Sequence, residues 1–238
     1  MIVRHGDPDY AIDGLTEKGK REAELLAHRL IREKDPKFYC STLGRARLTL
    51  APTLEKLGAS AEYCDWLREF SYVRVTSPDG NEEHLAWDML PDWMRKSPML
   101  YSPDAWKEAP MIRDSEVPSA YAVVTDSLDK LLACHGYVRE GNAYRVEKSN
   151  HDTLILVCHF GLGAVLLSHL MNCSPYSLWQ NTVLLPTSVT TLCTEERERG
   201  VAAFRCLGMG DVSHLTVADE EPSFAGRFCE CFEDETRH

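Results

Sequence analysis

Apolar residues in this chain occur in two kinds of stretch: short uninterrupted runs and longer stretches with helical spacing. The uninterrupted runs predict buried strands at residues 2–3, at KFYC (37–40) and at TLILVC (153–158). Apolar positions three and four residues apart predict helices over 16–33, 43–58 and 161–171. This alternation of strand and helix indicates an α/β fold, a three-layer sandwich with a mostly parallel central sheet flanked by helices.

Three further stretches complete the predicted organisation. Residues 188–193 and 201–207 are predicted as two strands of a hairpin. Residues 71–118 contain three of the five tryptophans and fit neither pattern, so we expect an insertion that caps the carboxyl edge of the sheet. In the acidic tail, Phe224, Phe228 and Phe232 recur every four residues, a spacing that predicts a docked helix.

Composition narrows the possible partners. The 238 residues suit a single domain over 1–238, and a net charge of −11 argues against nucleic acid or an anionic membrane as partner. No apolar run approaches the roughly 18 residues of a membrane helix, and no signal peptide is visible. The nine scattered cysteines then predict reduced thiols and a cytoplasmic location. Nothing in the pattern predicts an oligomeric state.

Histidines and arginines follow the predicted strands. His5 comes directly after the first strand with Arg4 beside it, and His159 follows the run TLILVC. Ligands of open α/β sheets bind at the carboxyl ends of strands, so both histidines are expected at one crevice. Arg45 begins the helix after KFYC and would add a second guanidinium, which binds phosphate oxygens in a bidentate manner. Arg47 competes with Arg45, but residues two apart on a helix face different ways.

Several motifs occur in the order typical of one enzyme group. They are IVRHG, LTEKG, STLGRA with a following threonine, LRE, LVCHFG and GDVSHL, and together they extend over nearly the whole chain. In this order the sequence resembles the histidine phosphatase superfamily, which includes phosphoglycerate mutases and many phosphatases.

The resemblance implies a role for each matching residue. His5 would be the nucleophile, Arg4 and Arg45 would bind the phosphoryl group, and His159 would hold phosphoryl oxygens in the transition state. Glu69 in LRE would be the general acid. The activity implied is hydrolysis of small phosphorylated metabolites through a phosphohistidine, with no metal and no cofactor. Elementary chemistry is consistent with these roles, because neighbouring arginines keep an imidazole neutral and stabilise negative charge on the transferred phosphoryl group.

The sequence also departs from the pattern of the superfamily. After RHG, many members carry Glu or Gln, then Thr or Ser, and an asparagine, whereas this chain reads DPDY. We expect Ser41 or Thr42 to supply the missing hydrogen bonds to phosphate, and Phe160 to narrow the entrance. Glu82 and Glu83 compete with Glu69 for the role of acid.

Three other functions compete with that of a histidine phosphatase. A cysteine-based phosphatase fails, because only four residues separate Cys40 from Arg45 and Cys134 from Arg139, one too few for its phosphate loop. A mutase stays open, although the adjacent arginine pair of the mutases is missing and Arg113 stands alone. A catalytically silent phosphate- or protein-binding module that keeps the fold also stays open.

Overall fold

The computed structural model describes residues 1–234 of the chain. Its helices are α1 (Glu17–Leu30), α2 (Gly44–Leu57), α3 (Pro91–Lys96), α4 (Pro110–Arg113), α5 (Val117–Cys134), α6 (Phe160–Met171), α7 (Pro175–Trp179) and α8 (Ser213–Thr216). Its strands are β1 (Ile2–Arg4), β2 (Pro8–Asp9), β3 (Gly14–Leu15), β4 (Lys37–Ser41), β5 (Ala61–Cys64), β6 (Arg74–Thr76), β7 (Glu83–Leu85), β8 (Tyr137–Glu140), β9 (Ala143–Val146), β10 (Leu154–Cys158), β11 (Val189–Glu198) and β12 (Val201–Asp211).

Eight strands form the central sheet in the order β5-β4-β10-β1-β11-β12-β9-β8. The first four pair in parallel, and every pairing from β1 to β8 is antiparallel. The expectation of a mostly parallel sheet therefore holds for one half only. The predicted hairpin causes the difference, because β11 and β12 pair directly and β11 joins the edge of β1 antiparallel.

Helices cover both faces of the sheet and make the predicted three layers. On one face α1 and α2 bury Leu26, Leu30 and Leu50 against Val3 and Val157 of the parallel strands. On the other face α5 and α6 pack against the opposite side of the same strands, and α6 is buried along most of its length. Residues 1–234 contain no helix that is long and apolar enough to cross a membrane.

Local signals explain where the two helices beside the site begin and end. The Thr16 hydroxyl accepts a hydrogen bond from Gly19 N and caps the start of α1. At the C-terminal end of α2, Gly58 takes a left-handed conformation, with φ +59°, and its N–H donates a hydrogen bond to the last turn of the helix. Both helix ends therefore lie close to where the sequence predicts them.

Segment 71–118 forms the β6–β7 hairpin, α3, α4 and short 3₁₀ turns. Its Trp106 is buried and packs edge-on against Tyr121 of α5 and Tyr176 of α7, with ring centroids 5.0 and 5.9 Å away. Trp87 reaches the start of α6, where its ring lies 5.8 Å from that of Phe160. That this segment acts as a cap of a single domain stays a prediction.

The prediction of a helix from the spacing of the tail phenylalanines is wrong. No helix forms between residues 217 and 234, the last residue described. Tertiary bonds hold this segment instead: Ser223 N donates to the Glu22 carboxylate, and Ala225 O accepts from the Arg4 guanidinium. A glycine at φ +90°, Gly226, then turns the chain. Contacts of the backbone with side chains thus override the periodicity of the phenylalanines.

Candidate active site

Three neighbouring parallel strands end at one edge of the sheet and deliver three polar side chains there. Arg4 of β1 is in register with Cys158 of β10, so His5 and His159 follow adjacent strands. Their ring centroids lie 5.0 Å apart. Ser41 ends β4 on the other side of β10, and its hydroxyl lies 2.8 Å from His159 Nε2. The two histidines expected at one crevice therefore meet there.

His5 is held in one tautomer by the backbone. Its Nδ1 lies 2.7 Å from the Gly6 carbonyl oxygen, which can only accept a hydrogen bond, so Nδ1 carries the proton. Nε2 of the neutral ring then has a free lone pair. Burial, and after it the charges of Arg4 and Arg45, hold the pKa of His5 well below 6.5. At neutral pH the ring is therefore uncharged.

His159 is fully buried and lies next to that ring. Burial lowers its pKa well below 6.5, and the charges of His5, Arg45, Arg4 and Arg68 lower it further. Ser41 holds Nε2, whereas Nδ1 is buried and has no hydrogen-bond partner. Arg68 is a cation near the site that sequence reasoning missed, although it stands inside the LRE motif.

Arg4 is anchored by two carbonyl groups from distant parts of the chain. Its Nη1 donates to Leu184 O at 2.6 Å and to Ala225 O at 3.1 Å. Burial lowers the pKa of the Arg4 guanidinium, while the Tyr10 hydroxyl and the charge of Glu69 raise it. Its Nε is buried and without a partner.

Arg45 is positioned by an acidic residue that the sequence did not single out. Asp13 Oδ1 accepts from Arg45 Nη1 at 2.6 Å, and Asp13 Oδ2 accepts from Gly44 N at 2.6 Å. A Cβ on Gly44 would stand 2.2 Å from the Asp13 carbonyl oxygen, so the start of α2 has room only for glycine. Arg45 Nε is also buried without a partner, whereas Arg47 faces away and stacks on Tyr63 at 4.7 Å.

The Glu69 carboxylate lies against the first turn of α6. Its Oε1 accepts from Phe70 N at 2.7 Å and from Leu162 N at 3.0 Å, and its Oε2 accepts from Gly161 N at 3.3 Å. A Cβ on Gly161 would stand 2.5 Å from Trp87, which explains the glycine after His-Phe. Oε2 has only the longest of these bonds and is the oxygen better placed for proton transfer.

The other residues considered for the site are engaged elsewhere. Within the described chain, neither Glu82 nor Glu83 hydrogen-bonds to His5 or His159; Glu82 contacts His84 instead. The Ser41 hydroxyl contacts His159, and the Thr42 hydroxyl donates to Asp65 at 2.8 Å. That one of these two hydroxyls replaces the missing asparagine stays a prediction.

The C-terminal segment closes over the site. Ser223 N donates to Glu22 Oε1 at 3.1 Å, and Asp7 N, two residues after His5, donates to Glu22 Oε2 at 2.8 Å. The Ser223 hydroxyl also hydrogen-bonds to the Asp7 carboxylate. Burial of Glu22 raises its pKa to about 7. One buried carboxylate therefore links the loop after the nucleophile to the segment that contacts Arg4.

Residues 1–122 match the family model of the histidine phosphatase superfamily, branch 1. The chain belongs to this superfamily. The match confirms the resemblance read from the motifs. Within residues 1–234, no group of three or more His, Cys, Asp or Glu side chains is placed to hold a metal ion.

Among the proteins with similar sequences or structures are three named phosphatases. A probable phosphatase of Schizosaccharomyces pombe is 36% identical over 82 residues, which cover 30% of this chain and 39% of that protein's length. Phosphoserine phosphatase of Entamoeba histolytica, solved with phosphoserine, shares 18% identity and a TM-score of 0.56 over 90% of this chain and 97% of its own. Mycobacterial glucosyl-3-phosphoglycerate phosphatase shares 20% identity and a TM-score of 0.57, over 88% and 96%. At these identities the two structures show the fold alone.

Proposed function

We propose that this chain is a metal-independent phosphatase that hydrolyses small phosphomonoesters through a phosphohistidine on His5. One observation carries the proposal: three buried nitrogen atoms around His5 have no hydrogen-bond partner. They are Arg4 Nε, Arg45 Nε and His159 Nδ1. Buried donors are nearly always paired, and leaving three unpaired in one place is costly. A phosphoryl group, with its three equatorial oxygens, would satisfy all of them.

In the first step, the lone pair of His5 Nε2 attacks phosphorus and the bond from phosphorus to the ester oxygen breaks. Charge on the equatorial oxygens is stabilised by the two guanidiniums and by His159, in a buried site where such interactions are strong. Arginine and histidine supply the positive charge and the donors that this step needs, so it uses no metal. The leaving oxygen takes a proton from the Glu69 carboxyl.

In the second step, water attacks the phosphohistidine and gives a proton to the Glu69 carboxylate. The bond from phosphorus to His5 Nε2 breaks, inorganic phosphate leaves and the neutral ring is restored. The backbone bonds at the first turn of α6 hold the Glu69 carboxylate in place, and its interaction with Arg4 indicates that it lies beside the phosphoryl site. One residue can therefore act as acid and then as base.

Relatives and sequence support a small phosphorylated substrate. The Entamoeba enzyme was solved with phosphoserine and with 3-phosphoglyceric acid. Mutase chemistry stays an alternative, weakened because the lone Arg113 is exposed and contacts its neighbour Asp114. A cytoplasmic location, expected from the nine scattered cysteines of the sequence, belongs to the same proposal.

The decisive experiment is hydrolysis of p-nitrophenyl phosphate in the presence of EDTA. We expect wild-type protein to be active and His5→Ala to lose activity on the order of 10⁴-fold or more. His28→Ala, which removes an exposed histidine of α1, is the matched control and should keep full activity. Labelled phosphate should stay on the protein in alkali and be released in acid. An active His5→Ala variant would sink the assignment.

Two further measurements separate the alternatives. Incubation with 3-phosphoglycerate and a trace of 2,3-bisphosphoglycerate should release phosphate; formation of 2-phosphoglycerate would indicate a mutase. A silent binding module would bind phosphorylated metabolites, as measured by calorimetry, with no turnover and no phosphoenzyme.

A further inference from the structure

Tyr10 lies close to both arginines of the proposed phosphoryl site. It belongs to DPDY, the stretch in which the chain departs from its superfamily, and follows β2 in the loop to β3. The centroid of its ring lies 5.4 Å from Arg45 Cζ. Its hydroxyl also interacts electrostatically with the Arg4 guanidinium. One side chain is therefore near the two groups that would hold the phosphate.

Tyr10 stands at the boundary between the buried site and solvent. His5 is 1% exposed and Arg4 5%, whereas Tyr10 is 69% exposed. Most of the Tyr10 side chain thus faces water, while its ring lies next to the Arg45 guanidinium. A ligand held by both arginines would meet this ring with whatever part of it projects from the phosphate.

The loop that carries Tyr10 is fixed on α2. Asp13 has a left-handed backbone conformation, with φ +47°. Its carboxylate accepts hydrogen bonds from Gly44 N and from the Arg45 guanidinium. Ala11 N donates to the Asp9 carboxylate at 3.0 Å. Bonds on both sides of Tyr10 therefore tie the position of its backbone to the helix that bears Arg45.

Apolar side chains continue the surface beside Tyr10. Ile12 is 73% exposed and Leu48 is 49% exposed. Both approach Gly14: their terminal carbons lie 3.0 and 3.8 Å from the point where a Gly14 Cβ would stand. Leu48 lies one turn after Arg45 on α2, so an aromatic and aliphatic rim adjoins the arginine that would grip the phosphate.

On this geometry we propose that Tyr10 is a substrate-binding residue that selects phosphomonoesters with an apolar or aromatic group next to the phosphate. The proposal rests on the proposed function. Its hydroxyl donates a hydrogen bond to a phosphoryl oxygen, in place of the asparagine that other members carry. Its ring face, with Ile12 and Leu48, packs against the organic group. Tyrosine suits both tasks, since it joins a polar tip to a rigid apolar body.

The test is binding of two phosphonates, which mimic the ester but cannot be hydrolysed. Calorimetry gives the Kd of phenylphosphonate and methylphosphonate for wild-type protein, Tyr10→Phe and Tyr10→Ala. We expect wild-type protein to prefer phenylphosphonate about tenfold. Tyr10→Phe should weaken both ligands about tenfold and keep the preference, and Tyr10→Ala should abolish the preference.

The matched control is a second stacked pair, formed by another arginine of α2 and a tyrosine of β5. Arg47 stacks on Tyr63 at 4.7 Å, and Tyr63 is 46% exposed, so Tyr63→Ala removes a comparable ring outside the site. It should leave both Kd values unchanged. Equal affinity of wild-type protein for the two phosphonates, or a preference that survives in Tyr10→Ala, would overturn the proposal. Absence of hydrolysis in wild-type protein that still prefers phenylphosphonate would overturn only the proposed function.

Discussion

The two halves of the central sheet differ in what they contribute. In the parallel half, β5-β4-β10-β1, the strands β4, β10 and β1 are almost entirely buried and lead to Ser41, His159 and His5 at one edge. The antiparallel half has alternating and partly exposed strands, and the site side chains described above come from elsewhere. Parallel strands bring all their carboxyl ends to one edge, whereas antiparallel strands divide theirs between two. The comparison predicts that substitutions in the first half change activity and those in the second change stability.

Among the substitutions that test this comparison, His159→Ala is expected to have the largest effect. Loss of one group that stabilises charge in the transition state should lower kcat by about 10²- to 10³-fold. The thermal midpoint should change little. His159 Nδ1 is buried without a hydrogen-bond partner, so removing the ring also removes an unfavourable unpaired atom. Steady-state kinetics and thermal unfolding check this, and a variant that unfolds while keeping its kcat would contradict it.

A smaller effect is expected from Ser41→Ala. The Ser41 hydroxyl is buried and orients His159 through Nε2, so its loss should reduce kcat about tenfold with little change in KM. Thr42→Val, which removes the neighbouring hydroxyl that contacts Asp65, should have normal kinetics. Equal losses in both variants would mean that the loop matters only as a whole.

Tyr144→Phe tests the antiparallel half. The buried Tyr144 hydroxyl hydrogen-bonds to Arg139 at 2.9 Å and to Asp129 at 3.3 Å, while its ring packs on Phe204 at 5.0 Å. Removing the hydroxyl should lower the free energy of unfolding by about 1 kcal/mol. The kcat per folded molecule should not change. Urea unfolding measures the first and kinetics the second; reduced kcat would break the division between the halves.

The last prediction concerns the dependence of stability on pH. The pKa of His5 is lowered in the folded chain, so below pH 6.5 the unfolded chain binds more protons and stability falls as pH falls. The raised pKa of Glu22, about 7, acts oppositely: it stabilises at low pH and this is lost as pH rises from 4.5 through 7. Glu22 is common to wild-type protein and His5→Ala.

The difference between those two proteins therefore isolates His5. Each pH unit over which His5 differs in protonation is worth about 1.4 kcal/mol. Urea midpoints from pH 5 to 8 should fall more steeply on the acid side for wild-type protein than for His5→Ala. Parallel curves would show that His5 does not titrate below its usual range.

The same division explains which elements could be predicted. Buried parallel strands are uninterrupted apolar runs, and β4 and β10 lie where those runs predict them. No helix is predicted for α5, although its buried residues have helical spacing: Val117, Ala120, Tyr121, Val124, Thr125, Leu128 and Leu132. The expected insertion ends at residue 118 and cuts across its first turn, where Pro118 is tolerated.

Residues of the site could be predicted where they follow a strand or belong to a motif. Asp13 and Tyr10 could not, because their partners lie more than thirty residues away or across a loop whose path the sequence does not show. The charge of Asp13 and the glycine after it mark a turn, but nothing local points to Arg45. Contacts made by loops depend on tertiary structure, and periodicity carries no information about them.

The bond between Arg4 and the Ala225 carbonyl joins residues 221 positions apart. Contacts of such separation must close very long loops, and chains rich in them fold slowly. During synthesis, the strand that carries His5 leaves the ribosome before β4, β10 and the C-terminal segment exist. His5 and Arg4 therefore lack these partners until almost the whole chain has been made, and a chain that ends between RHG and the C-terminal segment lacks a contact that anchors Arg4.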